Sequence, residues 1–148
     1  MELEYGKATD SEMEEIFSLA GVNRAEATAI QADNNQEEMI AAYQNSLEHG
    51  AYFLVARTED DLIGWVLVDR SMDWFTQKEI GWISDVYVKS EFRNQGVAEV
   101  LIEQSLVEFK HLGYDDVRLN VFCFNGKAIR LYEKIGFKDV SKFMRIEI

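Results

Sequence analysis

A chain of 148 residues with a formal charge of -12 lacks the basic face that a nucleic-acid partner requires to displace counterions from its phosphates. Cys123 has no second cysteine for an internal disulfide, and His49 and His111 stand apart with no CxxC or HExxH beside them, so no metal site is expected. At this length about 70% of the unfolded surface can be buried around one core, and no proline, repeat or linker marks a boundary, so residues 1–148 read as a single domain.

In chain order, MELEYGK is acidic and has no apolar segment of the signal-peptide kind, which predicts a cytoplasmic location. A strand over 3–8 leads to Thr9 or Asp10 as an N-cap, and MEEIFSLAG reads as a helix closed by Gly21. A second helical region ends with Met39, Ile40, Tyr43 and Leu47 on one face and Gly50 as its stop. The period then shortens to that of strands. AYFLVAR, DLIGWVLVD and EIGWISDVYV read as three strands, the first pair joined by a charged turn at Glu59 to Asp61, the second by the loop around Ser71 to Lys78. The longest apolar run, LIGWVLV at 62–68, is too short to cross a bilayer, so no membrane partner is expected.

Next, Ala98, Leu101, Ile102, Leu106, Phe109 and Leu112 fall on one face of a helix that ends at Gly113. DVRLNVFCF alternates as a strand, Asn125 caps the helix GKAIRLYEKI, Gly136 stops it, and FKDV with KFMRIEI supply two closing strands. The order is α/β, a mixed sheet with one strand-helix-strand crossover at its centre.

The entrance to the long helix, FRNQGVAEVLI at 92–102, has the chemistry of an anion cradle. The first N–H groups of a helix lack internal partners, and its dipole places about half a positive charge there. Gly96 and Ala98 keep side chains small, Arg93 adds a guanidinium fork, and Asn94 tolerates the left-handed backbone such loops need. A solvated loop with a glycine for packing explains the stretch equally well on its own.

NGKAIRLYEKIGF, one strand further on, breaks that tie: the two segments together resemble the GNAT superfamily of acyl-CoA-dependent N-acyltransferases. Its loop signature is Arg or Gln, two variable residues, Gly, one variable residue, then Gly or Ala, and Arg93-Asn94-Gln95-Gly96-Val97-Ala98 satisfies it. Asn125, Ala128, Leu131 to Lys134 and Gly136-Phe137 fill the second motif, the match being strongest over residues 80–140. The resemblance implies a mostly antiparallel central sheet of about seven strands flanked by about four helices, splayed between the fourth and fifth strands.

It also implies an acetyl-CoA cosubstrate and a set of site residues. The pantetheine arm would pair with the backbone of Val86, Tyr87 and Val88, and the pyrophosphate would meet the amides from Arg93 through Ala98. Asn125 and Ala128 would lie along the pantetheine, and Tyr132 beside the thioester sulfur as general acid for the leaving thiolate. Asn94 departs from the family's usual glycine, and the proline common near Ser90 is missing. The Val86 amide could polarise the thioester carbonyl.

A lysine-like amine of pKa about 10.4 is only about 0.04% neutral at pH 7, so attack needs a base. Ser84-Asp85 stands where related small-amine enzymes carry Glu-Asp, leaving Asp85 directly, Glu79 through water, or a solvent chain for the task. A plain structural pairing of Asp85 with a cation weighs equally. Strand alternation puts Ile83, Asp85 and Tyr87 on one face and Trp82, Ser84 and Val86 on the other.

Residues 10–50 hold nine acids and one base, Arg24, against nine and ten over 86–148. If the N-terminal helices wall the acceptor pocket, as the resemblance implies, that excess favours a cationic small-molecule amine; an ordinary acidic surface, with the helix acids facing water, accounts for it at least as well. Trp65, Trp74 and Trp82 are candidates for an apolar or cation-π lining, although Trp65 fits core better. Acetylation of a protein N-terminus or lysine, and a non-catalytic acyl-CoA-binding module, remain alternatives. A hydrolase built on Cys123 is disfavoured, since that residue alternates within a strand expected to be buried. The residues leave a homodimer open.

Overall fold

The computed structural model describes residues 2–148. Five strands, β1 (Glu4–Lys7), β2 (Tyr52–Arg57), β3 (Leu62–Asp73), β4 (Lys78–Val88) and β5 (Val117–Arg118), form one sheet in sequence order. The first four pair antiparallel and β5 joins β4 in parallel. A parallel neighbour needs a crossover, and helix α4 (Val97–His111) supplies it.

Period-2 alternation gives the sheet two apolar faces. Leu54, Ala56, Ile63, Val66 and Val68 pack with Leu101, Ile102 and Phe109 of α4. On the opposite face Phe53, Val55, Trp65 and Leu67 meet Ile16 of α1 (Asp10–Ser18), Ala20 of α2 (Ala20–Thr28) and Tyr43 of α3 (Asn35–Glu48). Thr9 is the N-cap of α1: its hydroxyl accepts from the Glu12 N–H at 3.1 Å while Glu12 Oε1 accepts from the Thr9 N–H at 2.9 Å.

The helical region before β2 holds three helices, because Gly21 does not close the first one. The chain breaks at Leu19 and Gly21 lies inside α2, its N–H donating to Gln36 Oε1 of α3 at 2.6 Å. Counting α5 (Gly126–Ile135), the sheet carries five helices, not about four. The loop expected at 71–78 is largely strand: β3 and β4 pair as far as Asp73 and Lys78, around a turn at 74–77.

Among the described residues the expected seven strands are five. Only Val117 and Arg118 of DVRLNVFCF pair, with Gly81 and Trp82, and FKDV and KFMRIEI form no strand. Alternation is necessary for a strand, but a neighbouring ladder is what makes one. Residues 119–124 offer none, so Phe143, Met144 and Ile146 stay exposed. Beyond Trp82, β4 runs on to Val88 without a partner on its β5 side among the described residues, which is the gap expected between the fourth and fifth strands. Among the described residues no helix is long and apolar enough to cross a membrane.

Candidate active site

The approach to α4 leaves β4 through a short 3-10 turn at Ser90–Phe92. Asn94 adopts φ 63° and Gly96 φ 79°, the two left-handed residues that swing the backbone into the helix. Among the described residues the N–H groups of Asn94, Gln95 and Gly96 make no hydrogen bond within the chain. Together with the first-turn amides of Val97 and Ala98 they make a run of unpaired donors at the positive end of the helix. Open space surrounds Gly96, where an added Cβ would meet nothing within 4 Å. This donor set fits the pyrophosphate of an acyl-CoA.

Arg93 serves the cradle in a different way from the one its charge suggests. Its Nε donates to the Val88 carbonyl at 2.8 Å, its Nη2 to Glu26 of α2 at 2.8 Å, and its guanidinium lies 5.2 Å from the centre of the Tyr87 ring. The side chain thus ties the loop to β4 and α2, and the backbone amides are left to face an anion. Lys127, at the start of α5, bonds Asn94 Oδ1 and brings a positive charge to the rim of the same loop.

Asp85 occupies the irregular point of β4. Leu67 pairs with Asp85 and Val68 with Ile83, so Ser84 is an extra residue, a bulge that resets the alternation. Ile83 consequently packs on the α4 side while Tyr87 packs with Trp65 and Tyr43 on the other, contrary to the strict alternation that places Ile83 and Asp85 together. The bulge turns Asp85 toward α2 and α3. Its Oδ2 accepts from Tyr43 Oη at 2.6 Å, Trp65 Nε1 at 2.8 Å and Asn23 Nδ2 at 2.9 Å, and among the side-chain donors of the described residues Oδ1 accepts from Asn23 Nδ2 alone, at 3.1 Å.

Among the described residues no cation pairs with Asp85, so the simple ion-pair reading does not hold. Burial pushes its carboxyl above the ordinary 3.8, against the pull of the Tyr43, Trp65 and Asn23 hydrogen bonds and the Val86 N–H. The same environment pushes the Tyr43 hydroxyl far up, through burial first and the Asp85 charge second. Glu79, the other carboxylate considered as base, lies exposed toward the hairpin end, near Arg70.

Tyr132 projects from α5 into the apolar layer between that helix and the sheet, edge-on to Phe137 with ring centres 5.8 Å apart. Burial raises its hydroxyl and the Asp85 charge raises it further, so the two groups share one electrostatic neighbourhood. Among the described residues no side-chain group hydrogen-bonds that hydroxyl. Asn125 is the N-cap of α5, its Oδ1 accepting from the Ala128 N–H at 3.3 Å. That bond commits one lone pair of Asn125 and fixes Ala128 in the first turn of α5.

The other expectations divide. Cys123 is exposed, which removes the buried-strand argument about it. Trp65 is core and also a donor to Asp85, Trp82 is half-buried, and Trp74 lies out on the hairpin turn. Three of the N-terminal acids are neutralised by partners, Glu12 by Arg57, Glu15 by Lys89 and Glu26 by Arg93. An open cleft of about 350 Å³ lies between α1–α2 and the end of β4, lined by Glu15, Leu19, Val22, Glu26, Tyr87 and Lys89. Asn23 was not picked out from the sequence, yet it falls in helical register with Ile16 and Ala20. A polar residue in an apolar stripe is the sign that could have found it.

Comparison with known proteins gives the same picture. A profile described as the Acetyltransferase (GNAT) family matches residues 13–137. An "N-alpha-acetyltransferase" of Saccharolobus solfataricus is 29% identical over 101 residues, 64% of this chain and 60% of the relative. A "Thialysine N-epsilon-acetyltransferase" of Sus scrofa is 33% identical over 81 residues, 55% of this chain and 47% of the relative. The chain therefore spans about 60% or less of the length of these curated relatives. A solved "predicted acetyltransferase with acetyl-CoA" from Clostridium acetobutylicum superposes at TM-score 0.77 with 16% identity, covering 99% of this chain and 96% of that one.

Proposed function

The chain belongs to the acetyltransferase (GNAT) family, and from that premise we propose that it moves an acetyl group from acetyl-CoA to a cationic primary amine within one ternary complex. The observation that carries this reading is the pairing of Asp85 with Tyr132. One is a half-buried carboxylate with no cation on it among the described residues, the other a hydroxyl raised by burial and by that carboxylate's charge, and they provide for the two proton problems of amide formation.

Acetyl-CoA supplies the activated thioester. The amides from Asn94 to Ala98 hold its pyrophosphate end, with Arg93 fixing their loop, and the free edge of Val86, Tyr87 and Val88 receives its pantetheine arm. Asn125 and Ala128 line the opposite side. Asp85 takes a proton from the acceptor ammonium, and Tyr132 donates one to the departing sulfur. The cleft beside Tyr87 and Glu26 is the acceptor's approach, and a small amine is the occupant its size suits.

A protein N-terminus is the second reading. Relatives described as N-alpha-acetyltransferases favour it. The deciding experiment is thiol release from acetyl-CoA across polyamines, lysine-like amines and short peptides with free N-termini, with Tyr132→Phe beside the wild type and acetyl-CoA binding recorded for both. Turnover on small amines that falls in the variant while binding persists supports the main reading. Turnover confined to peptides selects the second. Binding with no turnover on any acceptor overturns both in favour of a binding module.

A further inference from the structure

The two oxygens of Asp85 are not equivalent. Among the side-chain donors of the described residues, Oδ2 receives three, Tyr43 Oη, Trp65 Nε1 and Asn23 Nδ2, at 2.6, 2.8 and 2.9 Å, while Oδ1 receives one, at 3.1 Å, from an Asn23 amide that also serves Oδ2 and Tyr43 Oη; the Val86 backbone N–H adds to the carboxylate from its own strand. A carboxylate oxygen has two lone pairs in its plane, so Oδ2 is oversubscribed. Indole N–H and amide NH₂ are donors only, so of the three groups around Oδ2 just Tyr43 Oη, which already accepts from Asn23 Nδ2, has a lone pair to offer a proton placed there. Oδ1 has room for a proton. The donors come from three separate elements, α2, α3 and β3, so they hold the carboxylate plane from several sides at once.

We infer that Asn23, Tyr43 and Trp65 are positioning residues that occupy Oδ2 and so make Oδ1 the single proton-accepting atom of Asp85, the atom that discharges the acceptor ammonium. This rests on Asp85 being the base. The ammonium gives one N–H proton to Oδ1 and becomes a neutral amine. Its nitrogen pair forms the new C–N bond, the C–S bond breaks, and the thiolate takes the Tyr132 proton. The second amine proton and the one held on Oδ1 pass to water, and Tyr132 is reprotonated from water. Each turnover thus converts ammonium and thioester into amide, thiol and one released proton.

The titratable groups facing Asp85 are Tyr43 from α3 and Tyr132 from α5, both held far from ionisation near neutral pH. Donors to a carboxylate favour its charged form, so removing one raises the pH at which Asp85 loses its proton.

The test is the acidic limb of kcat/KM against pH, with the carboxyl ¹³C titration of Asp85 followed in parallel. Tyr43→Phe and Asn23→Ala should each move both readouts upward, by about one unit, with the KM for acetyl-CoA unchanged. Near-UV circular dichroism establishes that each variant is folded, and two variants on different helices guard against the loss of either. Activity lowered by the same factor at every pH, with the ¹³C titration unmoved, would reduce the three residues to a structural role and overturn the inference. Asp85→Asn separates the underlying reading: if it keeps both the rate and the acidic limb, Asp85 is not the base, whatever Tyr43 does.

Discussion

Arg93 and Glu26 meet at 2.8 Å across the space between the loop that opens α4 and the middle of α2. The Nε of the same arginine holds the Val88 carbonyl. One side chain therefore connects the loop at 93–98, the strand edge at 86–88 and the helix beside the open cleft, the three places that the proposed reading gives to acetyl-CoA and its acceptor. The ion pair is about two-fifths exposed, so its direct worth is within about 1 kcal/mol. The Nε bond sets the loop. Arg93→Ala should weaken acetyl-CoA binding about tenfold, on the order of 1.4 kcal/mol, by titration calorimetry. Glu26→Gln, which keeps the Val88 bond, should hold affinity within about twofold.

How far the sequence reveals this arrangement depends on whether a feature is local. The α4 face was readable because Leu101, Ile102 and Phe109 keep helical spacing, and all three are buried. The left-handed residue at Asn94 was readable because asparagine and glycine tolerate that backbone. The bulge at Ser84 was not, since an extra residue in a ladder is defined by the partner strand and leaves no mark on its own alternation. Tyr43 was read as one more apolar residue of its helix face. That its hydroxyl closes on Asp85, 42 positions away, depends on how α3 docks.

Asp85 and Glu12 should move stability with pH in opposite senses. Burial raises Asp85 in the folded chain above the ordinary 3.8. Between those two values the folded state binds more protons than the unfolded one, so stability is lost as pH rises through the window. Asp85→Asn abolishes that titration. Its melting temperature minus that of the wild type should climb as pH rises above the ordinary value and level off once the folded carboxyl is ionised.

Glu12 is held below the ordinary 4.5, first by its hydrogen bond from Arg57. Here the unfolded chain binds more protons, so the contribution is present above the ordinary value and lost as pH falls through the folded one. Glu12→Gln should cost most at neutral pH, the gap closing in acid. A pH-independent gap in thermal melts would show that the Arg57 pair contributes nothing through charge.

Gly64 and Gly96 are glycines for different reasons, and their alanine variants should fail differently. A Cβ on Gly64 would stand 2.5 Å from the Tyr87 carbonyl oxygen and 3.1 Å from Val88 Cα, both backbone atoms that cannot swing aside. Gly64→Ala must push β3 and β4 apart, a cost of about 1–3 kcal/mol visible as a lower urea midpoint. It also displaces the strand edge at 86–88 and should weaken acetyl-CoA binding. At Gly96 nothing crowds the site and only φ 79° is at issue. Gly96→Ala should cost about 1 kcal/mol in strain, and Gly96→Asn less, because asparagine tolerates that region. Both added side chains enter the open space at this loop, which the proposed reading gives to the pyrophosphate. Acetyl-CoA affinity should then fall in both variants whatever their stability, and equal affinity for Gly96→Asn and the wild type would remove this loop from the binding site.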